Sequence, residues 1–269
     1  MRYFHKAFGG VFAGTLAGLV LTIAAPALAQ GMAPAAPAAV GVRPAVLDAD
    51  AAAALDEMGA YLRTLQRFQV TSSGTTETVF ASGQKLQFQQ RTAYTIAKPD
   101  QMAVEIRTDR QLRRVTYDGK IFTIAAPNAR LYTQFSVTGT IGEVLTRAYD
   151  DWGVDFPLQD LFRWGDPTAT AAIPSEGFKV GAVQIGEFKT DHYAFRQPGV
   201  DFQLWIDQGD KPLPRRMVIT NTDDAAQPQY VANFTWDLAP KIAAGAFGFM
   251  PGKDDRRIDL SKGAAAVGK

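Results

Sequence analysis

Between Leu86 and Phe135 the apolar side chains fall on alternate positions. Leu86, Phe88, Tyr94 and Ile96 form one such run, and Met102, Val104 and Ile106 the next. A period of two sends successive side chains to opposite faces of a strand. These residues therefore share one face, while Gln87, Gln89, Arg91 and Thr95 take the other. Lys98-Pro99-Asp100 separates the two runs, because Pro cannot donate to a central ladder. Val115-Thr116-Tyr117 and Ile121-Phe122-Thr123-Ile124 then meet across Asp118-Gly119. That dipeptide between β-rich runs predicts a hairpin with a type I′ turn, which needs φ > 0 at both central positions. Pro127-Asn128-Ala129 marks a further turn, after which Leu131, Thr133, Phe135 and Val137 alternate again. The pattern predicts an antiparallel meander with one apolar face, which the rest of the chain must cover or offer to a ligand.

Upstream, Leu55, Met58, Leu62 and Leu65 recur at three- and four-residue spacing. This predicts an amphipathic helix over about residues 51–66, with Asp48 or Asp50 as its N-cap. The first strand begins at Phe68 and runs to Phe80; Gly74 inside it predicts a bulge or bend. After Val137 the period changes, and Ile141, Val144, Leu145 and Ala148 predict a helix over about residues 140–151. Pro157 to Trp164 reads as a second, short helical segment with Pro in its first turn. Strands resume at about 178–185, 188–196, 200–206, 215–222 and 229–236, and Phe247 and Phe249 mark a candidate last strand before Pro251. The sum is about ten strands in one antiparallel sheet, with a leading helix and a helical insertion halfway. The fold class is thus mainly β (α+β). Residues 48–260 show no break in composition and form one domain, within the size range of a single barrel-like unit.

The N-terminus carries a different pattern. Arg2, His5 and Lys6 precede an apolar run from Val11 to Ala25, and Ala27-Leu28-Ala29 supplies the small residues before a cleavage site at Gln30. Residues 1–29 are therefore expected to be a cleaved signal peptide rather than an anchor. Residues 30–47 form an Ala/Pro-rich linker, and residues 261–269 a small, polar tail expected to be disordered. The expected location is the periplasm, with no integral span after processing. Removing the leader with Arg2 and Lys6 takes the formal charge from +1 to about −1. That balance gives no reason to expect nucleic acid as a partner. The chain has no Cys, which excludes disulfides, thiolate chemistry and Cys-ligated metals.

Candidate chemistry is sparse. After cleavage His192 is the only His, and no motif supplies it with partners. Asp150, Asp151 and Asp155 could hold a cation, but such a run is more often a solvated helix end. No nucleophile elbow, phosphate-binding loop or dinucleotide fingerprint is present. We therefore expect no catalytic residue, no metal and no cofactor. Trp205 alternates with Asp201 and Gln203, opposite Val200, Phe202, Leu204 and Ile206, and is either an exposed contact residue or packed under a loop.

The run Tyr94-Thr95-Ile96-Ala97-Lys98-Pro99-Asp100-Gln101-Met102, followed by Val115-Thr116-Tyr117-Asp118-Gly119-Lys120, resembles the LolA/LolB-like lipoprotein-carrier superfamily. More closely, it resembles the DUF2092 family of predicted periplasmic proteins. Lys211-Pro212-Leu213-Pro214-Arg215-Arg216 and Phe247-Gly248-Phe249-Met250-Pro251 fit the same template, so the resemblance extends over about residues 51–260. It implies an incomplete β-barrel whose open side is covered by helices, with an apolar cavity for acyl chains. The cavity wall it implies here is Leu86, Phe88, Tyr94, Ile96, Met102, Val104, Ile106 and Tyr117. In the lipoprotein carrier an Arg before the Pro controls cargo release; the matching residue is Lys98, which keeps the charge without the planar fork. The expected function is a periplasmic carrier for a lipid, or for the acyl part of a lipidated partner such as a lipoprotein or envelope protein. The rivals are a hydrolase using loop carboxylates and His192, and a non-catalytic scaffold whose own helices plug the apolar face.

Overall fold

The first strand of the chain lies in the middle of the sheet. In the computed structural model, which describes residues 46–154 and 174–259, helix α1 (Ala49–Thr64) leads into β1 (Arg67–Val79). A meander follows: β2 (Lys85–Ala97), β3 (Gln101–Thr108), β4 (Leu112–Tyr117), β5 (Ile121–Ala126) and β6 (Leu131–Ser136). Helix α2 (Ile141–Trp152) separates it from a second meander of β7 (Glu176–Ile185), β8 (Phe188–Gln197), β9 (Val200–Asp207), β10 (Pro214–Asn221) and β11 (Gln229–Asp237). The two-residue β12 (Arg256–Arg257) ends the series. All twelve strands form one sheet in the order β12-β6-β5-β4-β3-β2-β1-β11-β10-β9-β8-β7. β1 thus joins the two meanders, pairing antiparallel with β2 on one side and β11 on the other. The sheet does not close, and its edges are β12 and β7.

The inner face follows the alternation read in the sequence. Val70, Tyr94, Val104, Val115 and Ile124 stand opposite one another across five strands, as do Phe68, Ile96, Met102, Tyr117, Phe122 and Phe135. On the second meander Ile219, Phe202 and Phe195 continue the same layer. Helix α1 crosses it. Ala51, Leu55, Met58 and Leu62 of α1, with Val144, Leu145 and Ala148 of α2, belong to one buried cluster with both halves of the sheet. The i, i+3, i+4 stripe on α1 is buried because it faces the apolar side of the pleat. α2 starts on a reciprocal cap: Thr140 Oγ1 accepts from Glu143 N, and Thr140 N donates to the Glu143 carboxylate. It ends at Gly153 in the left-handed region.

Three expectations change. Asp118-Gly119 does not form a type I′ turn: only Gly119 has positive φ, and the Asp118 carboxylate accepts from the backbone N–H groups of Lys120 and Ile121. A side chain thus does what a second left-handed residue would have done. Gly74 marks no bulge, since the β1 register runs through it unbroken on both sides. The strand needs Gly there because a Cβ would lie 1.8 Å from the Val231 carbonyl oxygen. The register shifts fall instead between Lys179 and Gly181 and between Pro214 and Arg216. Phe247 and Phe249 form no strand; they belong to a strap of residues 238–255 that passes over the outer face and ends in β12, parallel to β6. The segment from Pro157 to Trp164 and Asp155 lie outside the described residues.

Candidate functional site

Six of the eight expected cavity residues come together. Tyr94, Ile96, Met102, Val104, Ile106 and Tyr117 are all buried on the inner face, in the cluster that includes Leu55, Met58 and Leu62 of α1. Leu86 and Phe88 share that face by register, Leu86 with Thr78 and Phe88 with Thr76. They lie far out on the long β1–β2 hairpin, where Leu86 is 37% exposed and Phe88 half-buried. Tyr117 also carries a polar duty. Its hydroxyl donates to the Gly139 carbonyl at 2.8 Å, tying β4 to the turn before α2. Burial raises its pKa, and the charge of Asp100 adds to that.

Ser72 and Thr92 stand opposite each other on this face. Ser72 and Thr92 are buried, and the Tyr230 phenol, hydrogen-bonded to Ser72, is pushed up to about 12 by burial. Titratable groups do not converge there, and among the described residues no group of three His, Asp or Glu side chains could hold a metal ion. Asp150 and Asp151 are exposed at the end of α2.

Lys98 sits where β2 ends beneath the last turn of α1. Its Nζ donates to the carbonyls of Leu62 (3.2 Å) and Arg63 (3.3 Å). A cation on unsatisfied C-terminal carbonyls is favourable, although burial first and the Arg63 charge second lower the Lys98 pKa. At its other end α1 is fastened through Asp48 N, which donates to Gly177 O on β7 at 2.8 Å. The helix is therefore held to opposite halves of the sheet at its two ends.

His192 and Trp205 lie on the outer face, stacked at 4.0 Å and 7°. His192 Nε2 meets Gln203 Oε1 at 3.0 Å, and the Arg216 guanidinium stands 5.2 Å from the Trp205 ring. Trp205 is half-buried in this stack rather than under a loop. Burial is the main cause lowering the His192 pKa, with Arg216 adding to it, and among the described residues no carboxylate is hydrogen-bonded to the ring.

Alternation did not reveal a cleft of about 660 Å³ on the outer face, beneath the strap. Its floor includes Ala93, Ala103, Thr116 and Thr123, and Phe249 and Met250 hang over it. The available signal was the run of small and hydroxyl side chains at the outward positions of β2 to β5, read together with the arginines of Arg107-Thr108-Asp109-Arg110-Gln111-Leu112-Arg113-Arg114.

Among the described residues, an open, mainly antiparallel sheet with two helices packed on its apolar inner face defines the class. Residues 51–261 match the model of the family described as predicted periplasmic protein (DUF2092), and the chain belongs to that family. Among curated proteins none matches in sequence. Solved structures with some likeness include an uncharacterised conserved protein from Thermus thermophilus. It is 13% identical, with TM-score 0.43, over 77% of this chain and 96% of that one. LprF from Mycobacterium bovis is 13% identical, with TM-score 0.42, over 76% and 100%. A LolA superfamily protein from Nitrosomonas europaea is 10% identical, with TM-score 0.34, over 71% and 94%. All three TM-scores lie below 0.5. No described helix is long and apolar enough to cross a membrane.

Proposed function

We propose that this protein is a periplasmic carrier that takes the acyl chain of a lipid, or of a lipidated partner, against the inner face of its sheet. The observation that supports this is the character of that face: a largely apolar surface covered by helix α1, which polar contacts fasten at both ends. A ligand enters by displacing α1, and Lys98 on the α1 carbonyls is the release position. Each buried methylene contributes about 0.8 kcal/mol, so ten supply roughly 8 kcal/mol. Association and ordering costs of several kcal/mol then leave micromolar binding or weaker. With titratable groups scattered rather than convergent, binding is favoured over catalysis.

The burial of Tyr94 and Met102 in one cluster with Leu55, Met58 and Leu62 favours a second reading, a scaffold plugged by its own helix. Uptake of a fluorescent monoacylglycerol, which is uncharged, separates the two. A carrier binds it, gains faster uptake on Lys98→Met, and loses it on Met102→Gln in the fraction of that variant that remains folded. A scaffold binds nothing before or after either substitution; in both cases burying the amide introduced by Met102→Gln costs folding free energy.

A further inference from the structure

The face of the sheet opposite the helices holds the cleft under the strap, and its border carries more charge than a structural surface needs. Glu105 is shared by two guanidiniums: Arg114 Nε reaches one carboxylate oxygen at 3.0 Å and Arg107 Nη2 the other at 3.1 Å. Partial burial pushes Glu105 upward, but the hydrogen bonds from Arg114 and Arg107 outweigh it and hold it below the usual carboxylate range. Arg91 stands directly opposite Arg107 in the β2–β3 register, and no carboxylate among the described residues pairs with it. Like charges facing each other across a strand pair are unfavourable. Glu105 and Arg114 line the cleft, while Arg107 and Arg91 lie just beyond the lining, two residues along their strands from Glu105 and Ala93. The three arginines and one glutamate leave an exposed excess of two positive charges there.

The cleft floor mixes alanine with threonine, Glu105 and Arg114 line one side, and Phe249 and Met250 supply an apolar roof. Alanine and threonine side chains on its floor let a ligand lie close to the sheet. Met250, 92% exposed at its mouth, offers an apolar side chain to solvent. The volume of about 660 Å³ lies within the range of small-molecule sites. Asp255, the other acid at the cleft, accepts from Gly252 N in its own turn at 2.8 Å, on the strap segment that leads into β12. Guanidiniums at the border, and behind them a trough of small side chains roofed by Phe249 and Met250, fit a ligand with both characters.

The geometry points to a second binding site here, for a single-chain amphiphile with an anionic head: the phosphate or carboxylate on Arg91 and Arg107, the alkyl chain in the trough beneath Phe249 and Met250. The site is on the opposite face from the carrier cavity and stands or falls independently of it.

Titration with dodecyl phosphate tests it, with inorganic phosphate and dodecyltrimethylammonium as controls. Dodecyl phosphate binds and shifts the Met250 methyl resonance, while neither control does. Arg91→Gln and Arg107→Gln each weaken binding about tenfold, the scale of a lost charge-assisted hydrogen bond. Ala103→Trp, which fills the trough, abolishes dodecyl phosphate binding. Wild-type protein whose Met250 resonance does not move overturns the inference, and this needs no variant to fold. So does equal binding of inorganic phosphate, or binding that survives both arginine substitutions.

Discussion

Arg215 and Asp207 form the most enclosed ion pair among the described residues, with side chains only 11% and 13% exposed. Arg215 Nε lies 2.9 and 2.8 Å from the two Asp207 oxygens, and its Nη2 is 2.6 Å from one of them. The guanidinium lies 3.5 Å over the Phe188 ring, linking β10 to β8. Replacing Arg215 with Met keeps an unbranched stem on that ring but strands the Asp207 carboxylate. Removing one partner of a buried pair costs about 3–5 kcal/mol, and the residual exposure places this pair near the lower end, about 3 kcal/mol. For a domain of this size that corresponds to a fall in Tm of roughly 6–12 °C. Urea unfolding with an unchanged m-value measures it. The double variant Arg215→Met/Asp207→Leu, which removes both charges, is expected to recover most of the loss. A loss below about 1 kcal/mol in the single variant, the scale of a solvated surface pair, would refute the reasoning.

Two further outcomes follow from the geometry. Gly74→Ala places a Cβ 1.8 Å from the Val231 oxygen, so β1 and β11 must separate locally; we expect a loss of at least about 2 kcal/mol by denaturant melting, and a loss below about 0.5 kcal/mol contradicts the close approach. Because the folded pKa of His192 lies below 6.5, the folded state binds that proton less readily than the unfolded chain. Its contribution to stability is present above pH 6.5 and is lost as pH falls through the lowered folded value. His192→Gln should flatten that part of the stability–pH curve, and an unchanged profile would count against it.

Strand-by-strand alternation was legible because one face of this sheet is buried. Val200, Phe202, Leu204 and Ile206 read as β9 with its inward residues correctly assigned. The same signal was silent on the outer face, where Ala93, Ala103 and Thr116 look like ordinary surface until the strap passes over them. Periodicity is local, and the strap's position depends on the pairing of β12 with β6, some 125 residues apart in sequence. Gly74 shows a related limit. Gly inside a strand signals either a bulge or a close neighbour, and only the partner strand decides between them. For the inner-face residues the sequence specifies which side chains share a surface. It says nothing of whether α1 stays on that surface or leaves it.

The central position of β1 has a consequence for how the chain is made. Its partner β2 is synthesised next, but its other partner, β11, arrives only after residue 229. Throughout that interval β1 presents a bare row of amide and carbonyl groups, the arrangement from which intermolecular sheets grow. The strand is written accordingly: Thr71-Ser72-Ser73-Gly74-Thr75-Thr76-Glu77 carries hydroxyls, a glycine and a charge, with no aliphatic side chain between Val70 and Val79. A waiting edge of that composition is a poor template for aggregation. The seam between the two meanders is thereby kept safe until the last long strand closes it.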